Sequence, residues 1–284
     1  MTVARNLALT GVPRGGTTLC CQLLGRMQGV VALFEPMDVA ALPPARDAAL
    51  EEVAAFYAQQ RDSLGADGTC WSQQVGGQVP DNPFSSQRGA DGQRRREAER
   101  GRIRLDAPPE AGFTLAIKHN AAFTALLPEL AERFETCAVV RNPLAVLASW
   151  HSLDLPVSRG RLPAGEHLDP ALAAQLAAEP DCVTRQLIIL DWIFGRFERH
   201  LPAARVLGYE AVVASGGRVL AEAYGGLDAG VQPLQERNAS RLYPLQVCEP
   251  LAERLLADQG AWRSRYGDDD IRLLLQRMRG DAPA

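Results

Sequence analysis

Residues 7–19 read Leu-Ala-Leu-Thr-Gly-Val-Pro-Arg-Gly-Gly-Thr-Thr-Leu, and this stretch decides the fold. An apolar run, a glycine-rich turn and a following helical segment predict a strand, a tight loop and a helix start. In that layout the backbone N–H groups of the loop and of the first helical turn point to one place, where the helix dipole favours an anion. The stretch therefore predicts an anion-binding loop, although an ordinary strand–turn–helix packed through its glycines has the same pattern.

The spacing of this loop matches a Walker phosphate-binding loop except at one position. Gly11, Gly16 and Thr18 fall where the pattern G-x-x-x-x-G-K-[ST] requires them, but Thr17 replaces the lysine. That lysine contacts the β- and γ-phosphates of ATP, so its absence favours a different phosphate-bearing ligand. Arg14 lies inside the loop and offers a cation instead.

A second phosphate element follows further along the chain. Residues 136–140 form an apolar run that predicts a buried parallel strand, and Arg141-Asn142-Pro143 comes directly after it. A Walker B strand would end in an aspartate that holds magnesium, whereas arginine offers a bidentate fork to a phosphate. Ser149, eight residues after Arg141 on the predicted helix, supplies a hydroxyl to the same group. A surface arginine before a proline-started helix is the alternative.

Together the two elements resemble those of the sulfotransferases that use 3′-phosphoadenosine 5′-phosphosulfate (PAPS). Residues 13–18 are similar at every position to the family's 5′-phosphosulfate loop, P-[RK]-[SG]-G-T-T, and residues 141–149 match its 3′-phosphate element, R-[DN]-P-x-x-x-x-x-S. The resemblance covers residues 7–35 and 113–150 well and 205–245 loosely. It implies a P-loop-like, three-layer α/β fold with a mostly parallel central sheet flanked by helices. The implied donor is PAPS, the implied product is adenosine 3′,5′-bisphosphate, and the implied chemistry needs no metal.

The resemblance also implies roles for individual residues. Arg14 stabilises negative charge on the bridging oxygen as the bond to sulfur breaks, and Arg141 and Ser149 bind the 3′-phosphate. The 5′-phosphate is held by backbone N–H and hydroxyl groups of Gly15, Gly16, Thr17 and Thr18. The polar, arginine-bearing residues 235–241 are similar to the loop that closes over the adenosine end. Contacts to the 3′-phosphate are therefore expected from Arg237, Ser240 and Arg241, although a solvated turn has the same composition.

Sulfuryl transfer needs a base, and Glu35 is the first candidate. It ends an apolar run, residues 30–34, at the sheet edge where ligands of open α/β sheets bind. It also lies 22 residues after Pro13, the place of the catalytic glutamate in family members that act on carbohydrates and on protein tyrosine. We expect an apolar setting to raise the pKa of Glu35 towards neutrality, as a base requires. Asp38 is a candidate for orienting the acceptor.

His119 is the rival base, and the choice between the two stays open. It follows Lys118 at the end of a third apolar run, residues 113–117. The aryl- and steroid-type members of the family use a histidine in a K-x-H element, from which this adjacent pair departs. In the glutamate-type members a lysine alone often stands at this strand end, so we predict that Lys118 positions the donor or its sulfuryl group.

Strand candidates alternate with helical stretches, which predicts a mostly parallel sheet. We place strands at 6–10, 30–34, 113–117, 136–140 and 205–207, and helices at 17–28, 45–60 and 181–200. The 284 residues are expected to form a single sulfotransferase domain, 1–284, with flexible insertions at about 79–111 and 154–170. The first insertion is rich in proline, glycine and arginine, and is either a solvated loop or a lid over an anionic ligand.

Composition limits the remaining choices. A net charge of −4 gives no general affinity for nucleic acid, and no apolar run is long enough to cross a membrane. Six scattered cysteines show neither zinc spacing nor a disulfide framework, which favours a reduced, cytoplasmic protein.

The prediction is thus a PAPS-dependent sulfotransferase acting on a hydroxyl of a small molecule or glycan. A P-loop ATP-dependent kinase or NTPase and a non-catalytic nucleotide-binding module remain the alternatives.

Overall fold

The computed structural model describes residues 4–80, 83–85, 87, 94–227, 230 and 233–280. Its strands are β1 (Asn6–Gly11), β2 (Val30–Phe34), β3 (Thr69–Gln74), β4 (Glu99–Arg104), β5 (Thr114–Lys118), β6 (Glu135–Val140) and β7 (Val206–Gly208). Five of them form one sheet in the order β2-β5-β1-β6-β7, with every neighbouring pair parallel, and β3 and β4 form an antiparallel pair. The predicted α/β fold with a mostly parallel central sheet is confirmed.

Helices flank this sheet. In the described part of the chain they are α1 (Thr17–Gly25), α2 (Arg46–Asp67), α3 (Ala121–Ala125), α4 (Leu127–Arg133), α5 (Pro143–His151), α6 (Pro163–Leu168), α7 (Pro170–Ala178), α8 (Cys182–His200), α9 (Tyr209–Ala214), α10 (Arg218–Ala223), α11 (Leu245–Ala257) and α12 (Asp268–Arg279). Within these described ranges no helix combines the length and apolar character needed to cross a membrane.

Both faces of the sheet are covered, because alternate residues of each strand enter different apolar clusters. Leu7 and Leu9 of β1 pack in a cluster with α1 and α10, whereas Ala8 between them packs in a cluster with α2, α3 and α4. A further cluster joins β6 to α5, α8, α11 and α12. A parallel sheet buried on both faces has near-continuous apolar strands, which explains why these runs are readable in the sequence.

The topology brings the candidate residues to one edge. All five strands run the same way, so the segments that follow β1, β2, β5, β6 and β7 leave the sheet at the same side. β1 lies in the middle of the sheet. After β1 the chain forms β2 and β5 on one flank, and then crosses to form β6 and β7 on the other. The loop after β1 therefore lies at the point where the strand order reverses, which is the usual ligand crevice of such sheets.

Some predicted boundaries are wrong. The first helix ends at Gly25 rather than at 28, and α2 continues to Asp67, well beyond 60. Residues 99–104 of the supposed insertion 79–111 form β4, which pairs with the unpredicted strand β3. Residues 81–82, 86 and 88–93 of that insertion lie outside the described residues. The segment 154–170 is largely helical, with a 3-10 turn at Pro156–Arg159 followed by α6.

Candidate functional site

The loop after β1 has a backbone that requires its glycines. Gly16 has a φ of 94°, and a Cβ there would lie 2.5 Å from the Tyr209 ring. Gly11 has a φ of 155°, and a Cβ there would meet the Val139 carbonyl oxygen at 2.4 Å. Gly16 precedes α1, whose start has neither a side-chain cap nor an acidic residue in its first turn. The first N–H groups of α1 therefore remain open to an anion.

Arg14 joins this loop to the second phosphate element. Its Nε donates to Ser149 Oγ at 3.2 Å, and its guanidinium carbon lies 4.8 Å from the centre of the Phe84 ring. The carbonyl oxygen of Arg14 accepts from Arg141 Nη1 at 3.1 Å. The structure thus brings Arg14 into contact with both Arg141 and Ser149, although the Ser149 side chain is fully buried behind Arg14.

Three arginines share this corner. Burial, together with repulsion from Arg141 and Arg94, lowers the pKa of Arg14 to about 10. Arg14 stays charged at neutral pH; burial is the largest cause of its lowered pKa, and the repulsion from the two neighbouring arginines adds to it. Such an arrangement gains stability when an anion arrives between the guanidinium groups.

The segment around residues 235–241 is fixed mainly by its backbone and by Asn238. Arg141 donates from Nε to Asn238 Oδ1 at 2.6 Å and from Nη2 to the Arg237 carbonyl oxygen at 2.7 Å. The side chains of Arg237 and Arg241 are exposed, and Ser240 Oγ accepts from the Leu242 N–H at 3.2 Å. This segment therefore lies against Arg141, on the side predicted for the 3′-phosphate.

A second group of charges surrounds Glu35. Lys118, only 2% exposed, donates from Nζ to Glu35 Oε1 at 2.6 Å and lies 4.5 Å from the centre of the Phe34 ring. Arg96 donates from Nη2 to Glu35 Oε2 at 3.2 Å. Each carboxylate oxygen of Glu35 thus has its own cation, and the Glu35 side chain is still 24% exposed.

This pairing overturns the expected pKa of Glu35. Burial alone would raise it, but Lys118, His119 and Arg96 together lower the pKa of Glu35 to about 2. The prediction that an apolar setting raises the pKa towards neutrality is therefore wrong. The sequence showed the apolar strand before Glu35 but not the lysine that the neighbouring strand places beside it.

Backbone strain marks the same residues. Within the described ranges, Arg14 (φ 70°) and Glu35 (φ 43°) are the non-glycine residues with positive φ. Such conformations cost free energy and are typical of functional sites, where the surrounding fold enforces them. At Glu35 that enforcement is visible, because its N–H donates to the Lys118 carbonyl oxygen at 2.9 Å and continues the β2–β5 pairing.

His119 is engaged in the fold. It is 4% exposed, and its Nε2 accepts the Met37 N–H at 3.1 Å, which places the ring proton on Nδ1. Burial, the largest cause, lowers the pKa of His119 to about 3, with further lowering by Lys118, Arg100 and Arg96. A neutral histidine is in the right charge state for a base. However, Nε2, the ring nitrogen without a proton, already accepts the Met37 N–H.

Two residues that support the site, Trp150 and Glu210, were missed by the sequence analysis. Trp150 Nε1 donates to the Pro13 carbonyl oxygen at 2.8 Å and fixes the loop. Glu210 Oε1 accepts from Asn238 Nδ2 at 2.7 Å, so it holds the residue that orients Arg141. Trp150 follows Ser149 directly, and Glu210 follows β7 at the same sheet edge, so only their positions in the chain indicated that they lie near the site.

No protein-family model matches the chain, and a search of curated proteins finds no significant relative.

Proposed function

We propose that the protein is a PAPS-dependent sulfotransferase that transfers a sulfuryl group to a hydroxyl of a small molecule or glycan. The observation that carries the proposal is the meeting of two groups at one sheet edge. A cluster of arginines and backbone N–H groups lies after β1 and β6, and the Glu35–Lys118 pair lies at the ends of β2 and β5. The first suits a bisphosphate, and the second holds a carboxylate that can remove a proton once its pairing with Lys118 is released.

The residues present fit such a donor. The uncapped start of α1 and the glycine backbone at Gly16 offer N–H groups to a 5′-phosphate. Arg141 uses one hydrogen on each of its three nitrogens for the fold, which leaves one on Nη1 and one on Nη2 for a 3′-phosphate. In the described part of the chain, buried Lys118 donates to Glu35 alone, so two of the three N–H donors on its Nζ are left for a sulfuryl oxygen.

When bound, PAPS supplies an activated sulfuryl group and a stable leaving bisphosphate. Glu35 takes the proton of the acceptor hydroxyl as the new oxygen–sulfur bond forms. Arg14 and Lys118 stabilise the negative charge that stays on the leaving phosphate when its bond to sulfur breaks. A carboxylate paired with Lys118 is a weak base, so the proposal requires Lys118 to turn from Glu35 towards the donor. Burial then raises the pKa of Glu35 to a value more useful for catalysis.

Glu35 is preferred to His119 as the base. Glu35 remains partly exposed at the edge, whereas the Nε2 of His119 is occupied by a backbone N–H. We also propose a reducing, cytoplasmic setting. The support is that the six cysteines are free and five of them are buried.

Substitution of the proposed base separates an enzyme from a module that only binds nucleotide. We expect Glu35→Gln to lower kcat by about 100-fold or more, because proton removal is lost. Its affinity for adenosine 3′,5′-bisphosphate should stay close to that of the parent chain, because the amide oxygen still accepts from Lys118. Turnover is measured with PAPS and a panel of hydroxyl acceptors, and affinity by calorimetry.

The matched control is Glu51→Gln, an exposed glutamate on α2 that pairs with Arg133. It should leave both quantities unchanged. Full turnover in Glu35→Gln would remove Glu35 as the base and direct the same test to His119. A parent chain that binds the bisphosphate but transfers nothing would favour the non-catalytic module.

A further inference from the structure

A cleft of about 430 Å³ is lined by residues that follow the proposed base in the chain, although Glu35 itself is not part of the lining. Its lining begins two residues after Glu35 and includes Met37, Asp38, Leu42, Phe56 of α2 and Arg100 of β4. Apolar side chains therefore form part of its wall, and the charged groups are Asp38, Glu52 and Arg100. The segment 154–170, which the sequence analysis predicted as an insertion, contributes no residue to this lining.

Arg100 is held in place by two contacts. Its Nε donates to the Pro36 carbonyl oxygen at 2.6 Å, and its guanidinium carbon lies 4.2 Å from the centre of the Trp71 ring. The carbonyl that orients this guanidinium therefore belongs to the residue directly after Glu35. Within the described ranges, no group accepts from the two Nη nitrogens of Arg100, so four N–H donors of an oriented fork are left over.

An oriented guanidinium with open Nη groups is the geometry that binds a carboxylate with two parallel hydrogen bonds. Stacking on an aromatic ring lowers the entropy that such a contact costs, because the fork is already in place. Arg100 and the other charged groups of the lining, Asp38 and Glu52, are all exposed, so water screens the attraction and the repulsion of an anion alike. The preference for a carboxylate therefore depends on the two hydrogen bonds that the guanidinium can donate.

We propose that this cleft is the acceptor site and that Arg100 binds a carboxylate of the acceptor, which places the hydroxyl of the same molecule at Glu35. The acceptor is then a hydroxyl compound that carries a carboxylate. This inference rests on the proposed function for the role of the hydroxyl, but the anion-binding role of Arg100 stands on the cleft alone.

Three phenols of nearly equal shape test the charge that the cleft selects: 4-hydroxybenzoate, 4-hydroxybenzamide and 4-hydroxybenzylamine. Binding to the full chain is measured by ligand-observed NMR at millimolar concentrations, without nucleotide. We expect the benzoate to bind about tenfold more tightly than the amide, as a charge-assisted hydrogen-bonded pair predicts. Arg100→Gln should reduce the benzoate to the level of the amide, and Arg100→Lys should restore part of the difference, because it keeps the charge but not the fork.

Arg104→Gln is the control, since this exposed arginine lies on the same strand and pairs with Asp67 at 3.9 Å. It should leave the preference unchanged. Equal behaviour of the three phenols, tighter binding of the amine, or a benzoate preference that survives Arg100→Gln overturns the proposal. Because no nucleotide is present, this binding test can fail independently of the test for PAPS use. If the protein selects the benzoate but never transfers a sulfuryl group, the proposed function is refuted and the Arg100 site is retained.

Discussion

Glu35 is the residue on which the chemistry depends, and its environment restrains it. Of its two cationic partners, the Lys118 side chain is buried, whereas the Arg96 side chain is 41% exposed. The two cations are therefore unequal. In the proposed reaction Lys118, at the end of β5, turns to the donor phosphate, and Arg96 holds the carboxylate oxygen that an incoming hydroxyl would approach.

Removal of Arg96 should make Glu35 a stronger base. Arg96 lowers the pKa of Glu35, so in Arg96→Gln the acid limb of the pH profile of kcat/KM should move to higher pH. Since an exposed ion pair is worth at most about 1 kcal/mol, the move should stay within about one pH unit. The profile is compared with that of Arg104→Gln, and a limb that does not move, or moves to lower pH, contradicts the assignment of Glu35.

At the level of elements, the decisive contact is between the loop after β1 and the start of α9. The Tyr209 ring lies against Gly16, and its centre is 4.7 Å from the guanidinium carbon of Arg141. Its hydroxyl accepts the Arg237 N–H at 3.1 Å. One aromatic ring thus sets the spacing of the loop, the strand-end arginine and the segment that follows α10.

Gly16→Ala should disturb the loop after β1, Arg141 and the segment that follows α10 together. The new Cβ enters the Tyr209 ring in a left-handed backbone, so we expect a loss of about 2–5 kcal/mol in the free energy of unfolding. Affinity for adenosine 3′,5′-bisphosphate should fall by at least about tenfold, because displaced N–H groups of the loop would lose about one to two kcal/mol of binding free energy. Calorimetry measures the affinity and denaturant unfolding measures the stability.

Gly29→Ala is the matched control for this substitution. Gly29 also has a positive φ, 70°, but a Cβ there meets nothing within 4 Å. It should lose only the backbone term of about 1–2 kcal/mol and keep the nucleotide affinity. Equal nucleotide affinities in the two variants would show that the Tyr209 contact does not shape the site.

The sequence allowed most of the central sheet to be predicted, for a physical reason. Strands buried on both faces are continuously apolar, so residues 30–34 were placed without error and the other central strands within one residue. The β3–β4 pair was missed because Thr69–Gln74 is polar and Glu99–Arg104 is charged and mostly exposed. The ion pair between Glu35 and Lys118 was missed for another reason: it depends on β2 and β5 being neighbours, which no local pattern encodes.

For the whole molecule, the buried titratable groups make the free energy of unfolding depend on pH. His119 is held neutral, with its pKa lowered from 6.5 to about 3, so its contribution is complete above pH 6.5 and declines as the pH falls towards 3. The contribution of Glu35, with its pKa lowered from 4.5 to about 2, declines only below pH 4.5.

His119→Gln isolates the first effect, because the amide oxygen still accepts the Met37 N–H while nothing titrates. Between pH 6.5 and 4.5 the parent chain should lose stability relative to the variant by about 1 kcal/mol per pH unit. Denaturant unfolding at several pH values gives the difference. Parallel curves for the two chains would mean that His119 is accessible to protons in the folded state.

The most direct test of the central claim is calorimetric titration of the chain with adenosine 3′,5′-bisphosphate, ADP and ATP, each with and without magnesium. Arginines and backbone N–H groups at the loop, and an arginine at the end of β6, predict a preference for the bisphosphate that does not depend on magnesium. A magnesium-dependent preference for ATP would contradict the sulfotransferase proposal and favour a kinase, and binding of neither nucleotide would contradict both.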